Sequence, residues 1–217
     1  MFAIGRRFLI RSATALALAA TLGACNGAGG RGGLSGDDMV LGDASAPVTL
    51  IEYASATCPH CATFHEQVFE QLKTNYIDTG RVRYVFREFP TAPAPVAVAA
   101  FQVSRCGGAS PEQYFSRLGE VFRTQETLFR SLQTDAGRQY FINLGAAAGL
   151  TEQDVLACIA DEEGPARIRR IVDSGTREFN ITGTPTFVIN GEKVEDPSVV
   201  TYEGLSRLLD AAGAAAN

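Results

Sequence analysis

Cys58-Pro59-His60-Cys61 lies where an apolar strand gives way to a helix, and that placement constrains the chain more than any other feature. Before it, Val48–Ala54 (VTLIEYA) is a short run of mostly β-branched and apolar residues, which reads as a strand. After it, Phe64, Val68, Phe69, Leu72 and Tyr76 recur at helical spacing. A cysteine at the start of a helix sits against unpaired backbone N–H groups and the positive end of the helix dipole. The second cysteine, one turn on, points back at the first. Such a pair closes a small disulfide, and its outer thiol ionises easily. Redox chemistry is the reading that follows.

The rest of the chain sets that chemistry in context. It has 217 residues, 46% hydrophobic and 20% charged, enough for one fairly large domain with a real core. The net charge is −5, and no basic run or patch supports nucleic-acid binding. Residues 1–24 read as an export signal, with Arg6, Arg7 and Arg11 ahead of an uncharged Ala/Leu-rich stretch from Ser12 to Leu22. Cleavage before Cys25 removes three positive charges and no acid, taking −5 to −8. Leu22-Gly23-Ala24-Cys25 resembles the bacterial lipobox, which implies lipidation of Cys25 and a membrane anchor. The alternatives are an ordinary cleaved signal with Cys25 a stray thiol, or an uncleaved anchor. Arg6-Arg7-Phe8-Leu9 is also similar to a twin-arginine signal, without the residue usual between the arginines and the phenylalanine.

Export implies an oxidising compartment, periplasm or cell envelope, in which disulfides persist. With Cys25 set aside, four cysteines remain: Cys58, Cys61, Cys106 and Cys158. An even remainder suggests a structural Cys106–Cys158 disulfide, two buried free thiols being the alternative. Residues 25–38 form a Gly-rich tether, too short to be a dimerisation domain, so a monomer is expected. The globular part starts at Met39. After the motif, a helix to about Asp78 is stopped by Thr79-Gly80, and a strand over 82–87 completes a β-α-β unit with parallel strands. Pro90, Pro93 and Pro95 break the pattern. Helices follow over 96–106, 111–124, 135–148 and 151–160, the last opened by a Thr151/Asp154 capping box. A longer helix over 165–179 then leads to Gly183-Thr184-Pro185. A strand Thr186–Ile189, an Asn190-Gly191 turn, a strand over 192–194 and a helix over 200–212 close the chain.

The succession of strand, Cys-x-x-Cys helix, strand, helical insertion, helix, Thr-Pro, hairpin and helix resembles the thioredoxin superfamily, and within it the DsbA-like thiol:disulfide oxidoreductases. The resemblance covers residues 40–213. It rests on Cys58-Pro59-His60-Cys61, whose central dipeptide is typical of that subgroup, and on Gly183-Thr184-Pro185-Thr186-Phe187, which looks like the family's cis-proline loop. The implied fold class is α/β, a thioredoxin fold over 39–217 with a helical insertion over about 93–165. The implied activity is introduction of disulfides into exported polypeptides, with a membrane redox partner to recycle the protein and no cofactor beyond the cysteines.

Cys58 is then the nucleophile, its thiolate helped by helix N–H groups, the dipole and the His60 ring. Cys61 is the resolving thiol, and Pro59 stiffens the first turn at a position whose N–H would be unpaired anyway. Thr184 and Pro185 would place backbone beside Cys58, where a substrate segment could add as a strand. Glu52, six residues before Cys58, matches the family's buried acid that handles the proton of Cys61; a carboxylate at a sheet end facing water is the plainer reading. Thr184 stands where the strongly oxidising prototype carries valine, and it resembles the isomerases and some DsbA relatives. A reductase or isomerase is therefore the second reading. A metal-carrying lipoprotein using Cys58, Cys61 and His65 is the third, although structural zinc sites use four ligands in two close pairs. His65 is expected on the helix surface or in a groove, and Arg167, Arg169 and Arg170 on a solvated face.

Overall fold

The structure, a computed structural model, describes residues 1–2 and 33–215. The export signal, Cys25 and most of the tether lie outside the described residues. Five strands form one mixed sheet in the order β1-β3-β2-β4-β5: β1 Met39–Leu41, β2 Val48–Ala54, β3 Val82–Glu88, β4 Thr186–Ile189 and β5 Glu192–Lys193. β2 and β3 run parallel, joined by the helical segment 59–77, whereas β1, β4 and β5 pair antiparallel. β2 is the central strand, and six of its seven residues are buried. Their side chains alternate between faces as a pleated strand requires. Leu50 and Ala54 face the larger core with Tyr84, Phe86 and Phe187, while Ile51 and Tyr53 face a smaller one with Val85 and Val188.

The helical segment after the motif alternates α-helical turns, α1 Pro59–Phe64 and α2 Glu70–Leu72, with π-helical turns His65–Phe69 and Lys73–Ile77. The insertion comprises α3 Ala94–Arg105, α4 Pro111–Arg123, α5 Gln125–Leu132, α6 Gly137–Ala147 and α7 Glu152–Ala160. Ser110 and Thr151 cap α4 and α7 through complete capping boxes. Cys106 and Cys158 form a disulfide (S–S 2.02 Å) that ties the end of α3 to α7. α8 Glu163–Phe179 covers the smaller core, and α9 Tyr202–Leu209 buries Leu205 and Leu209 in the larger one. Asn190, in left-handed conformation beside Gly191, turns β4 into β5. It also exchanges two 2.9 Å hydrogen bonds with the backbone of Thr49.

Several elements differ from the sequence reading. The short β1 and the eight-residue α5 are additional, the first too brief and the second too polar for periodicity to mark. The end of the tether is not loose. Asp38 is ion-paired with the buried Arg87 at 2.9 Å, and Asp37 with Arg170 at 3.0 Å. Arg87 also donates to the Gly33 carbonyl and to the Tyr53 hydroxyl. Nor is Arg167 solvated: with Arg105 (2.7 Å) and the Tyr114 hydroxyl (3.0 Å) it surrounds Glu88, fully buried at the end of β3. A buried carboxylate needs such partners, and this cluster binds β3, α3, α4 and α8 together.

α8 approaches the sheet closely because Gly175 lies over Tyr53. A β-carbon at 175 would stand 2.5 Å from the Tyr53 ring, which is fully buried and held by Arg87. Gly175→Ala is therefore expected to destabilise the fold by about 1–3 kcal/mol despite alanine's better helix propensity. Urea denaturation measures this, and an unchanged midpoint would contradict the seating of α8 on Tyr53.

Candidate active site

β2 delivers the chain into a turn, Ser55-Ala56-Thr57, that sets the position of Cys58. The Cys58 N–H donates to the Ser55 carbonyl at 3.1 Å. Ser55 Oγ accepts from the Thr57 and Thr91 N–H groups, and Thr57 Oγ1 donates to the Thr91 carbonyl at 3.1 Å. Gln125, buried at the start of α5, completes the turn from the insertion side. Its Nε2 donates to the carbonyls of Ala56 (2.9 Å) and Cys58 (3.2 Å). Cys58 itself is extended (φ −86°, ψ 119°) and caps α1, with Pro59 in the first turn.

That conformation leaves the two sulfurs in opposite environments. The Cys58 thiol is pushed down to about 5, first by the hydrogen bond from the Cys61 thiol, with help from Thr184 and from the backbone N–H groups of Cys61 and His60; burial opposes them. As a thiol, Cys58 donates to the Thr184 carbonyl at 3.2 Å. The Thr184 hydroxyl is buried without a partner among the described residues and is left to donate to the thiolate. The Thr184–Pro185 bond is cis, as is Ala92–Pro93. His60 contributes through its backbone N–H while its ring stands exposed, so the ring is not the principal source of thiolate stabilisation. Cys61 is completely buried, and burial, its hydrogen bond to Cys58 and the charge of Glu52 push its thiol far up.

Glu52 is fully buried on the Leu50 face of β2, which rules out a carboxylate facing water at the sheet end. The Tyr84 hydroxyl donates to its Oε2, and the same oxygen lies 3.1 Å from His65 Nε2. Burial keeps the Tyr84 phenol protonated, so it acts only as a donor. Oε1 is buried with no partner among the described residues. His65 is thus not on the helix surface, although it does line a groove, the other placement expected for it. Its ring is stacked between Phe122 (centroids 4.3 Å) and Phe69 (4.7 Å), turned toward Glu52. Nε2 is thereby engaged with Glu52. Among the described residues no three His, Cys, Asp or Glu side chains are grouped to hold a metal ion.

Sequence reasoning missed Gln125, Tyr84 and the inward turn of His65. Strand parity carried a signal for Tyr84: it pairs with Leu50, two residues before Glu52, and so shares the face of Glu52. Nothing local marked Gln125, because its partners are backbone carbonyls about 70 residues away in sequence.

Because the folded Cys58 is depressed from 9.0 to about 5, its ionisation stabilises the reduced fold fully above pH 9.0, and that contribution is lost as pH falls through about 5. Alkylation of the reduced chain should accordingly occur at Cys58 with a midpoint near pH 5, while Cys61 stays unreactive at the pH that ionises an ordinary thiol. Mass spectrometry of the alkylated peptides reads both. A Cys58 midpoint near 9.0 would contradict the site's electrostatics.

Comparisons with known proteins bear on the family and the fold. The sequence profile of the family described as thioredoxin matches residues 34–211. A protein of Rickettsia bellii, whose name of protein-disulfide oxidoreductase is itself an inference, is 29% identical over 163 residues. A similarly named protein of Rickettsia prowazekii is 28% identical over 176 residues. The matches take in 75% and 81% of this chain but only 61% of each relative's length. Among solved structures, Wolbachia pipientis alpha-DsbA1 superposes with a TM-score of 0.70 at 28% identity, covering 82% of this chain and 92% of that one. A protein-disulfide isomerase of Novosphingobium aromaticivorans gives the same TM-score at 22% identity, covering 83% of this chain and all of that one, a likeness of fold. The chain therefore belongs to the thioredoxin family and shares the insertion-bearing architecture of DsbA.

Proposed function

We propose that the chain is a thiol:disulfide oxidoreductase of the cell envelope that passes the Cys58–Cys61 disulfide to exported polypeptides. The observation that carries this is the opposed ionisation of the two sulfurs, Cys58 lowered to about 5 and Cys61 raised. A substrate thiolate attacks Cys58 Sγ, and the Cys58–Cys61 bond breaks with its electron pair on Cys61, which takes up a proton. A second substrate thiolate then attacks the substrate sulfur of the mixed disulfide and releases Cys58 as a stable thiolate. Stabilising that leaving thiolate favours the reduced enzyme, which makes the disulfide oxidising. Glu52, buried and with its charge acting on Cys61, is the local group through which the proton for Cys61 passes. The Thr184 backbone beside Cys58 offers an edge to which an extended substrate segment pairs.

Around this core, Cys25 anchors the mature protein through lipid, residues 25–38 hold the domain off the membrane, and a membrane redox partner reoxidises the pair. No helix among the described residues is long and apolar enough to cross a membrane. Thr184 supports a second reading, isomerase or reductase, since threonine before this proline resembles the isomerases, as it does some DsbA relatives.

Equilibration with glutathione buffers separates the two. The oxidase reading predicts a reduction potential between about −200 and −120 mV, and Cys58→Ser without activity on reduced substrate protein. A potential near about −270 mV would favour a reductase, and recovery of scrambled in preference to reduced substrate, whatever the potential, would favour an isomerase.

A further inference from the structure

A buried leaving thiolate needs a proton brought to it, and the residues around Glu52 form a route. Cys61 has no exposed surface, and neither does Glu52, so neither exchanges protons directly with solvent. The His65 ring, however, has Glu52 Oε2 3.1 Å from its Nε2, and His65 also lines a cleft of about 440 Å³. That cleft lies between the first π-helical turn and α4, and neither Cys58 nor the Thr184-Pro185 loop is among the residues that line it. Glu66, Glu70 and Lys73 line it from the motif helix, and Glu112 and Arg123 from α4. The groups facing His65 from the sheet are Glu52 of β2 and, through it, Tyr84 of β3. Three carboxylates against two cations make the mouth acidic, which suits proton delivery.

We propose that His65 relays protons between this cleft and Glu52, giving Cys61 a supply that does not pass through the substrate-binding face. The inference rests on the oxidoreductase reading above and deepens it. During reduction of the disulfide, Cys61 takes its proton from the Glu52 carboxyl. Glu52 recovers one from His65 Nε2, and His65 is reprotonated at Nδ1 from water in the cleft. Stacking between Phe69 and Phe122 stops the ring from swinging, so transfer proceeds by exchange across it rather than by rotation. Over a full cycle the substrate dithiol loses two electrons and two protons. One proton ends on Cys61 and the other in solvent, because Cys58 leaves ionised. His65 acts through Glu52 and is a positioning and relay residue rather than one that touches substrate. Tyr84, as an obligate donor to the same oxygen, holds Glu52 in place without competing for the proton.

The test is single-turnover reduction of the oxidised full-length protein by dithiothreitol, followed as a function of pH for wild type, His65→Gln and His65→Ala. Glutamine keeps a hydrogen-bonding amide beside Glu52 but carries no mobile proton. The relay predicts that His65→Gln slows the reaction at least about tenfold at neutral pH and alters its pH profile, and that imidazole accelerates His65→Ala but not wild type. Wild-type rates and pH profile in His65→Gln would overturn the proposal. So would a slowed His65→Gln whose profile keeps its shape, since that marks a structural role. If His65→Ala does not fold, the His65→Gln profile decides. A wild-type chain that exchanges no disulfides at all would overturn the parent reading and the relay with it.

Discussion

The whole site depends on the difference between two sulfurs one helical turn apart. Cys58 is placed where backbone N–H groups, the Cys61 thiol and Thr184 all favour its anion. Cys61 is placed where burial and the Glu52 charge favour its neutral form. Burial of Cys61 directs attack to Cys58, so the electron pair departs on Cys61, which must be protonated, and the depressed Cys58 then leaves as the stable thiolate in the second exchange. Covalent connectivity alone does not create that bias. The Ser55–Thr57 turn, the Thr91 backbone and the Gln125 amide hold Cys58 at the helix start, and the Thr184–Pro185 loop closes over it.

The scaffold explains why a carboxylate is tolerated beneath the pair. Glu52 occupies the middle of the central strand, where an isolated charge would be expensive. Tyr84 and His65 meet one of its oxygens, and the other has no partner among the described residues. A residue retained in the core with one oxygen unsatisfied is suited to handling a proton rather than to stabilising the fold. Glu88 provides the contrast within the same molecule. It is equally buried but surrounded by Arg105, Arg167 and Tyr114, and it binds the sheet to the insertion and α8.

Much of this was legible because it is local. The β2-motif-helix succession, the parallel β3, the Thr186–Ile189 strand and its Asn190-Gly191 turn follow from periodicity and turn chemistry. The roles of Glu52 and the Thr184-Pro185 loop came from resemblance rather than from pattern. The reading failed where contacts are distant. His65 looks like one polar residue among several on a helix, and only the packing of Phe122 from α4 turns it inward. Gln125 looks like an ordinary position in a polar stretch, and its partners belong to a loop that folds against it from far away. Asp37 and Asp38 end a glycine-rich segment whose composition signals freedom, yet two arginines from β3 and α8 hold them in place. Periodicity reports which face of an element is buried; it does not report which polar group another element brings to it.

The Cys58–Cys61 pair is proposed to work as a disulfide donor, and its redox state in the living cell tests that most directly. Cells expressing the full chain are quenched in acid, their free thiols are tagged with a mass-shifting alkylating reagent, and the protein is resolved by size. A disulfide donor predicts that Cys58 and Cys61 escape the tag because the pair is held oxidised at steady state. A steady state in which both cysteines are tagged would contradict the claim and reverse the direction of electron flow.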